Sequence, residues 1–124
     1  MKKRAAFIVL TVCSFACCEV NSIAQEQFKK LSVPEIRAKF TGMEFTDEVH
    51  WGEVYGTNGK LMSEEMGTKR LGTWRVEKDQ LCTEYGKEVG RSCYEVWVSG
   101  KNVQLRMQDS PALPLEGVLE RPRH

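Results

Sequence analysis

Along most of this chain the hydrophobic positions recur every second residue. In the run 49–55, Val49, Trp51, Glu53 and Tyr55 share one parity, and His50, Gly52 and Val54 the other. Trp74 and Val76 share a face, as do Tyr94, Val96 and Val98, and then Val103, Leu105 and Met107. The alternate positions carry Arg75, Glu77, Glu95, Trp97, Gln104 and Arg106. A period of two with one dry and one wet face marks a half-buried β-strand. The pattern predicts strands near residues 43–46, 49–55, 60–66, 71–78, 80–85, 93–99, 102–108 and 115–120. Gly, Asn, Asp and Pro clusters separate these runs with no helical period between them, which argues for an antiparallel meander over βαβ units. Asn58-Gly59 predicts a type I′ hairpin, in which both central residues take positive φ. Gly100-Lys101-Asn102 predicts a second tight turn.

Ahead of the strands, Ser32-Val33-Pro34-Glu35 reads as a capping box with proline at the helix start. Val33, Ile36 and Phe40 give a partial apolar face and Gly42 a stop, so one short helix is expected over Pro34 to Phe40. Residues 25–31 read as a loose polar leader. The expected fold is mainly β: a small antiparallel meander of about eight strands forming a barrel or a sandwich, with one short N-terminal helix.

The first residues change the picture of where this domain works. Lys2, Lys3 and Arg4 precede the apolar run Ala5 to Cys18, and Ser22 and Ala24 supply small residues before a cut ahead of Gln25. That is the layout of a secretory signal. Its apolar run of about 14 residues is short of the roughly 20 that span a bilayer. The expectation is a signal peptide over 1–24 and a single β-rich domain over 25–124, periplasmic or secreted, with no stable membrane span. Ser14-Phe15-Ala16-Cys17 lacks the usual Leu at the third position upstream of a lipidated cysteine, which makes anchoring at Cys17 or Cys18 the lesser reading.

Of the five cysteines, Cys13, Cys17 and Cys18 fall inside the signal, leaving Cys82 and Cys93 in the mature chain. An even pair in an exported domain reads as a disulfide. The intervening ten residues fit neither CxxC nor the usual zinc spacings. Cleavage moves the formal charge from +1 to just below zero, and no basic stripe is present, so nucleic acid is not an expected partner.

His50-Trp51-Gly52-Glu53-Val54-Tyr55 is the densest group of functional side chains. Glu53 shares the parity of Trp51 and Tyr55 and is expected either to enter an aromatic cavity, where burial raises its pKa, or to return to solvent at a bulge at Gly52. His50 is the one histidine before the terminal His124, and no GxSxG, HExxH or P-loop string occurs. An enzyme would need Glu53 as acid or base with His50 or Arg75 beside it. The expectation is therefore no enzyme, with no catalytic residues, metal or cofactor.

The order Thr41-Gly42, His50-Trp51, Asn58-Gly59, Gly72-x-Trp74, Leu81-Cys82, Cys93-Tyr94, Val96-Trp97 and Pro114-Leu115-Glu116-Gly117 is similar to small exported proteobacterial domains of unknown function. The resemblance implies an extracytoplasmic barrel-like fold with a disulfide, and it carries no activity. The scaffold also resembles, more distantly, periplasmic protease or lysozyme inhibitors and calycin-type ligand binders, although lipocalins place their Gly-x-Trp on the first strand. The leading expectation is a monomeric binding domain for a small apolar or amphipathic ligand. Its candidate binding residues are Trp51, Glu53, Tyr55 and Trp74, within a barrel also lined by Val96 and Val103. The alternative is a protein-binding inhibitor or envelope accessory factor using the loops 86–91 or 110–114.

Overall fold

The computed structural model describes residues 27–123. Its elements are β1 (Lys29–Lys30), α1 (Val33–Phe40), β2 (Glu44–Thr46), β3 (Trp51–Tyr55), β4 (Lys60–Glu65), β5 (Thr68–Glu77), β6 (Gln80–Glu84), β7 (Arg91–Ser99), β8 (Asn102–Arg106) and β9 (Leu115–Glu120). From β2 to β9 each strand pairs antiparallel with the next, and β9 returns to pair with β2. The result is a closed eight-strand barrel. Closure satisfies the backbone of every strand on both sides and removes the sheet edges that a sandwich would keep.

The segment expected as a loose leader is tied down. Lys29 and Lys30 pair with Val98 and Trp97, on the stretch of β7 beyond its last β6 partner, Glu95. Leu31 follows, donates its N–H to the Val96 carbonyl at 2.9 Å, and is buried. A single apolar side chain in a polar stretch is a weak signal, and only the neighbouring strand shows where it goes.

The turn chemistry also differs from expectation. Asn58 does not take positive φ; the 56–59 connection instead has Gly59 alone at +79°, with the Asn58 Oδ1 accepting the Lys60 N–H at 3.0 Å. Paired positive φ values, as in type I′, occur in the two-residue loops Met66-Gly67 (51° and 84°) and Lys78-Asp79 (49° and 57°). Asn58's side chain is engaged in holding the longer turn, which leaves the left-handed position to glycine.

Strand direction gives the barrel two unlike ends. At one, the short connections 56–59, 78–79 and 100–101 surround α1. The helix starts where the sequence marks it: the Ser32 N–H and Oγ both donate to Glu35 Oε1, at 3.3 and 3.0 Å. Asp79, from the β5–β6 turn, accepts the Val33 N–H at 2.9 Å, satisfying one amide that a helix start leaves without an intrahelical partner. Ile36 and Phe40 then point into the barrel and are fully buried. Phe40 meets Tyr55 edge-on at 5.0 Å and lies 6.3 Å from Phe45. With Leu61, Val76, Leu81, Val96, Val103 and Leu105 these rings form one buried cluster inside the barrel.

The other end is framed by the connections 47–50, 66–67, 85–90 and 107–114. Here the inward positions turn polar. Alternation places Glu53 opposite Ser63, and Ser63 opposite Arg70, on three successive strands. On the outer wall Cys82 faces Cys93 directly across β6 and β7, with Cα atoms 4.1 Å apart and the sulfurs at bonding distance.

Candidate functional site

The mouth of the barrel opposite α1 is an open concavity of about 500 Å³. Trp51 and Leu115 form apolar walls, Glu53 and Tyr85 the inner wall, and Glu65 and Arg70 stand at the rim. Such a volume lies within the range of small-molecule sites, about 300–1,000 Å³.

Each wall residue has a local cause. Trp51 opens β3 after a loop organised by Asp47, whose Oδ1 accepts the N–H groups of Val49, His50 and Trp51 at 3.0, 2.7 and 3.0 Å. Partial burial works against that carboxylate's charge, but these donors and the His50 ring outweigh it and hold the carboxyl well below its ordinary range. The Trp51 ring then packs edge-on against Phe45 at 5.0 Å. Tyr85 follows β6 at the parity of Leu81 and Thr83 and turns inward. Gly72 on β5 makes this possible. A Cβ there would overlap the Glu84 carbonyl and come within 2.9 Å of the Tyr85 ring. Glycine inside a strand marks such a close approach.

The chemical centre of the mouth is the contact that results. The Tyr85 hydroxyl donates to Glu53 Oε2 at 2.5 Å. Burial pushes the Glu53 carboxyl above its ordinary value, and the Tyr85 and Tyr55 hydroxyls oppose that rise without cancelling it. Burial and the adjacent Glu53 charge push the Tyr85 and Tyr55 hydroxyls up in turn. The Tyr55 side chain is fully buried beside the same carboxylate, which its hydroxyl also helps to stabilise. Among the described residues Glu53 has no cationic partner within 4.0 Å.

These placements fix a testable sign. Glu53 has a folded pKa above 4.5, its ordinary value, so the folded state holds the proton more tightly than the unfolded chain. Stability is then fully present below that pH and falls as the pH rises through the raised value. Glu53→Gln, which keeps an acceptor for Tyr85 and carries no charge, should lose less stability than the parent between pH 4.5 and neutrality. Urea midpoints of both proteins across that range measure the difference; parallel profiles would contradict it.

The four candidate binding residues separate in the fold. Trp51 and Glu53 line the mouth. Tyr55 lies beneath it in the packed core, with Val96 and Val103. Trp74 packs edge-on against Tyr55 at 5.4 Å and donates Nε1–H to the Gly56 carbonyl at 2.9 Å, closing the turn at the helix end. The interior beyond the mouth is filled by side chains, so space for a ligand lies in the mouth and not along the whole barrel.

His50 is exposed, and its Nδ1 lies 2.9 Å from Asp47 Oδ2. Arg75 is on the outer wall and pairs with Glu77 at 3.2 Å. Neither is brought to Glu53. Glu77 also pairs with Arg91, over the disulfide. Glu77, Cys82 and Cys93 are the one grouping of potential metal ligands among the described residues, and bonded sulfurs offer no thiolate to a metal.

Tyr85, Ser63, Arg70 and Leu115, which no motif in the sequence marks as binding residues, complete the site around Trp51 and Glu53. The parity of Tyr85 with Leu81 and the glycine at 72 were legible signals for one of them. No family model matches this chain, and no curated protein or solved structure matches it either. The geometry therefore stands by itself.

Proposed function

We propose that this chain is an exported, non-enzymatic binding domain that holds a small amphipathic ligand in the open mouth of its barrel. One observation carries the reading: a concavity of about 500 Å³ that joins an apolar wall, Trp51 and Leu115, to a half-buried carboxylate, Glu53. Preformed sites for small molecules have this composition, mostly apolar with a few placed polar groups that orient the ligand. The proposed export rests on the residues before Gln25, which lie outside the described residues, and on the Cys82–Cys93 pair, which suits an oxidising compartment. The absence of His50 and Arg75 from the neighbourhood of Glu53 favours binding over acid–base catalysis.

The test is native mass spectrometry of the protein purified from the periplasm, paired with a denaturing spectrum of the same sample. Extra mass in the native spectrum alone, lost on Trp51→Ala, is the expected result. An unliganded native spectrum, with no binding of any hexyl-chain probe at millimolar concentration, would overturn the reading.

A second reading has one observation in its favour. Leu113, between Pro111 and Pro114 at the same mouth, is 92% exposed. A proline-flanked loop offering a bare leucine suits insertion into a partner protein's cleft. On that reading Leu113→Asp abolishes capture of a defined envelope partner, and a Trp51→Ala variant leaves the capture intact.

A further inference from the structure

Resting on the binding reading of the mouth, we infer that its ligand is an organic cation: a protonated amine bearing N–H groups on a short apolar body, with Glu53 as its counter-charge. Three features of the site point to this class.

The first is the state of Glu53. A buried carboxylate is costly unless it is paired and hydrogen-bonded. Glu53 receives a hydroxyl from Tyr85 and no cation from the described residues. The missing partner is a positive charge arriving from the open side. The second is the surrounding charge. Glu64 and Glu65 lie around the same concavity, against Arg70 as its one basic lining residue. Low-dielectric walls focus a negative potential of this kind and concentrate cations in the mouth.

The third is the aromatic wall. Trp51 and Tyr85 both line the cavity beside Glu53, and the faces of such rings attract ammonium groups. The Glu53 carboxylate is itself a hydrogen-bond acceptor, as its contact with Tyr85 shows, and this favours a head with N–H groups over a quaternary ammonium. A carboxylate or phosphate head would meet Glu53, Glu64 and Glu65 with like charge.

Calorimetric titration with hexylammonium, hexanol and hexanoate tests the class, since the three share a chain and differ in the head. Hexylammonium should bind at least tenfold more tightly than hexanol, and hexanoate more weakly than either. In Glu53→Gln the preference for hexylammonium over hexanol should vanish. Glu65→Gln, at the exposed rim, should weaken hexylammonium two- to threefold and serves if the buried variant fails to fold. Equal binding of hexylammonium and hexanol by the parent, or a preference that survives Glu53→Gln, would overturn the cation assignment and leave the mouth as a binding site. Failure of all three probes to bind would overturn the binding reading as well.

Discussion

Replacing Phe40 by alanine is expected to lower the unfolding free energy by about 3–5 kcal/mol, the range for truncating a buried phenylalanine. Phe40 is fully buried and, with Ile36, anchors α1 in the barrel. Its ring sits edge-on to Tyr55 at 5.0 Å and near Phe45 at 6.3 Å, and such aromatic pairs contribute beyond the area they bury. Ile36 and Leu61 belong to the same buried cluster, and their backbones are held by a helix and a strand. The hole left by the ring therefore closes only in part, and the residual cavity adds to the transfer cost. Domains of this size are stable by roughly 5–15 kcal/mol, so the loss is a large fraction of the total. Urea denaturation followed by tryptophan fluorescence measures it. A shifted midpoint with an unchanged slope is the expected signature of a destabilised but intact barrel. A loss below about 1 kcal/mol would mean that the helix contributes little to the core.

Removing the disulfide should cost about 3 kcal/mol, from the loop-closure entropy of a short cross-linked segment. Cys82 and Cys93 are 11 positions apart and directly opposed on β6 and β7. The double variant Cys82→Ala with Cys93→Ala measures the cross-link without leaving a free thiol, and the reduced parent protein gives a second reading. The effect should extend to the mouth. Tyr85 leaves β6 only a short distance beyond Cys82, and the loop from Gly86 to Gly90 is closed by one Gly90 N–H to Gly86 carbonyl bond of 3.0 Å. Freeing that loop loosens the hydroxyl that hydrogen-bonds Glu53. The double variant should therefore bind hexylammonium several-fold more weakly than the parent at a urea concentration of zero, where both are folded. Equal stability of oxidised and reduced protein would contradict the entropic account.

Much of the architecture is legible in the sequence. The eight alternating runs correspond to β2 through β9, displaced by at most a few residues at their ends, and the capping box at Ser32 and Glu35 does begin the helix. Parity correctly grouped Trp51, Glu53 and Tyr55 on the inner wall. It failed for Val49, which shares that parity but lies before β3 in a loop and is 79% exposed. Alternation has meaning only while the backbone is extended, and Asp47 bends this stretch by gathering three amides onto one oxygen. Asn58-Gly59 failed for a related reason, since a side-chain hydrogen bond can replace the turn that a dipeptide suggests.

The amino-acid sequence alone determined that this protein is a β-meander with alternating faces, through its two-residue period, that a short helix precedes it, through the Ser32–Glu35 capping box, and that Cys82 and Cys93 form a pair, through their even count. Those properties depend on residues close in the chain, where propensity and the two-residue repeat act directly. Tertiary structure alone decided that the sheet closes into a barrel, because closure depends on β9 meeting β2 across the whole domain. It also decided which half of the interior is filled and which is open, since α1 enters one end only. Most of all, it decided that Glu53 meets Tyr85 and not His50 or Arg75. Glu53 and Tyr85 are 32 residues apart, and their contact needs a strand between them to lack a side chain at Gly72. A local pattern records each of those three residues, but only packing brings them to one place.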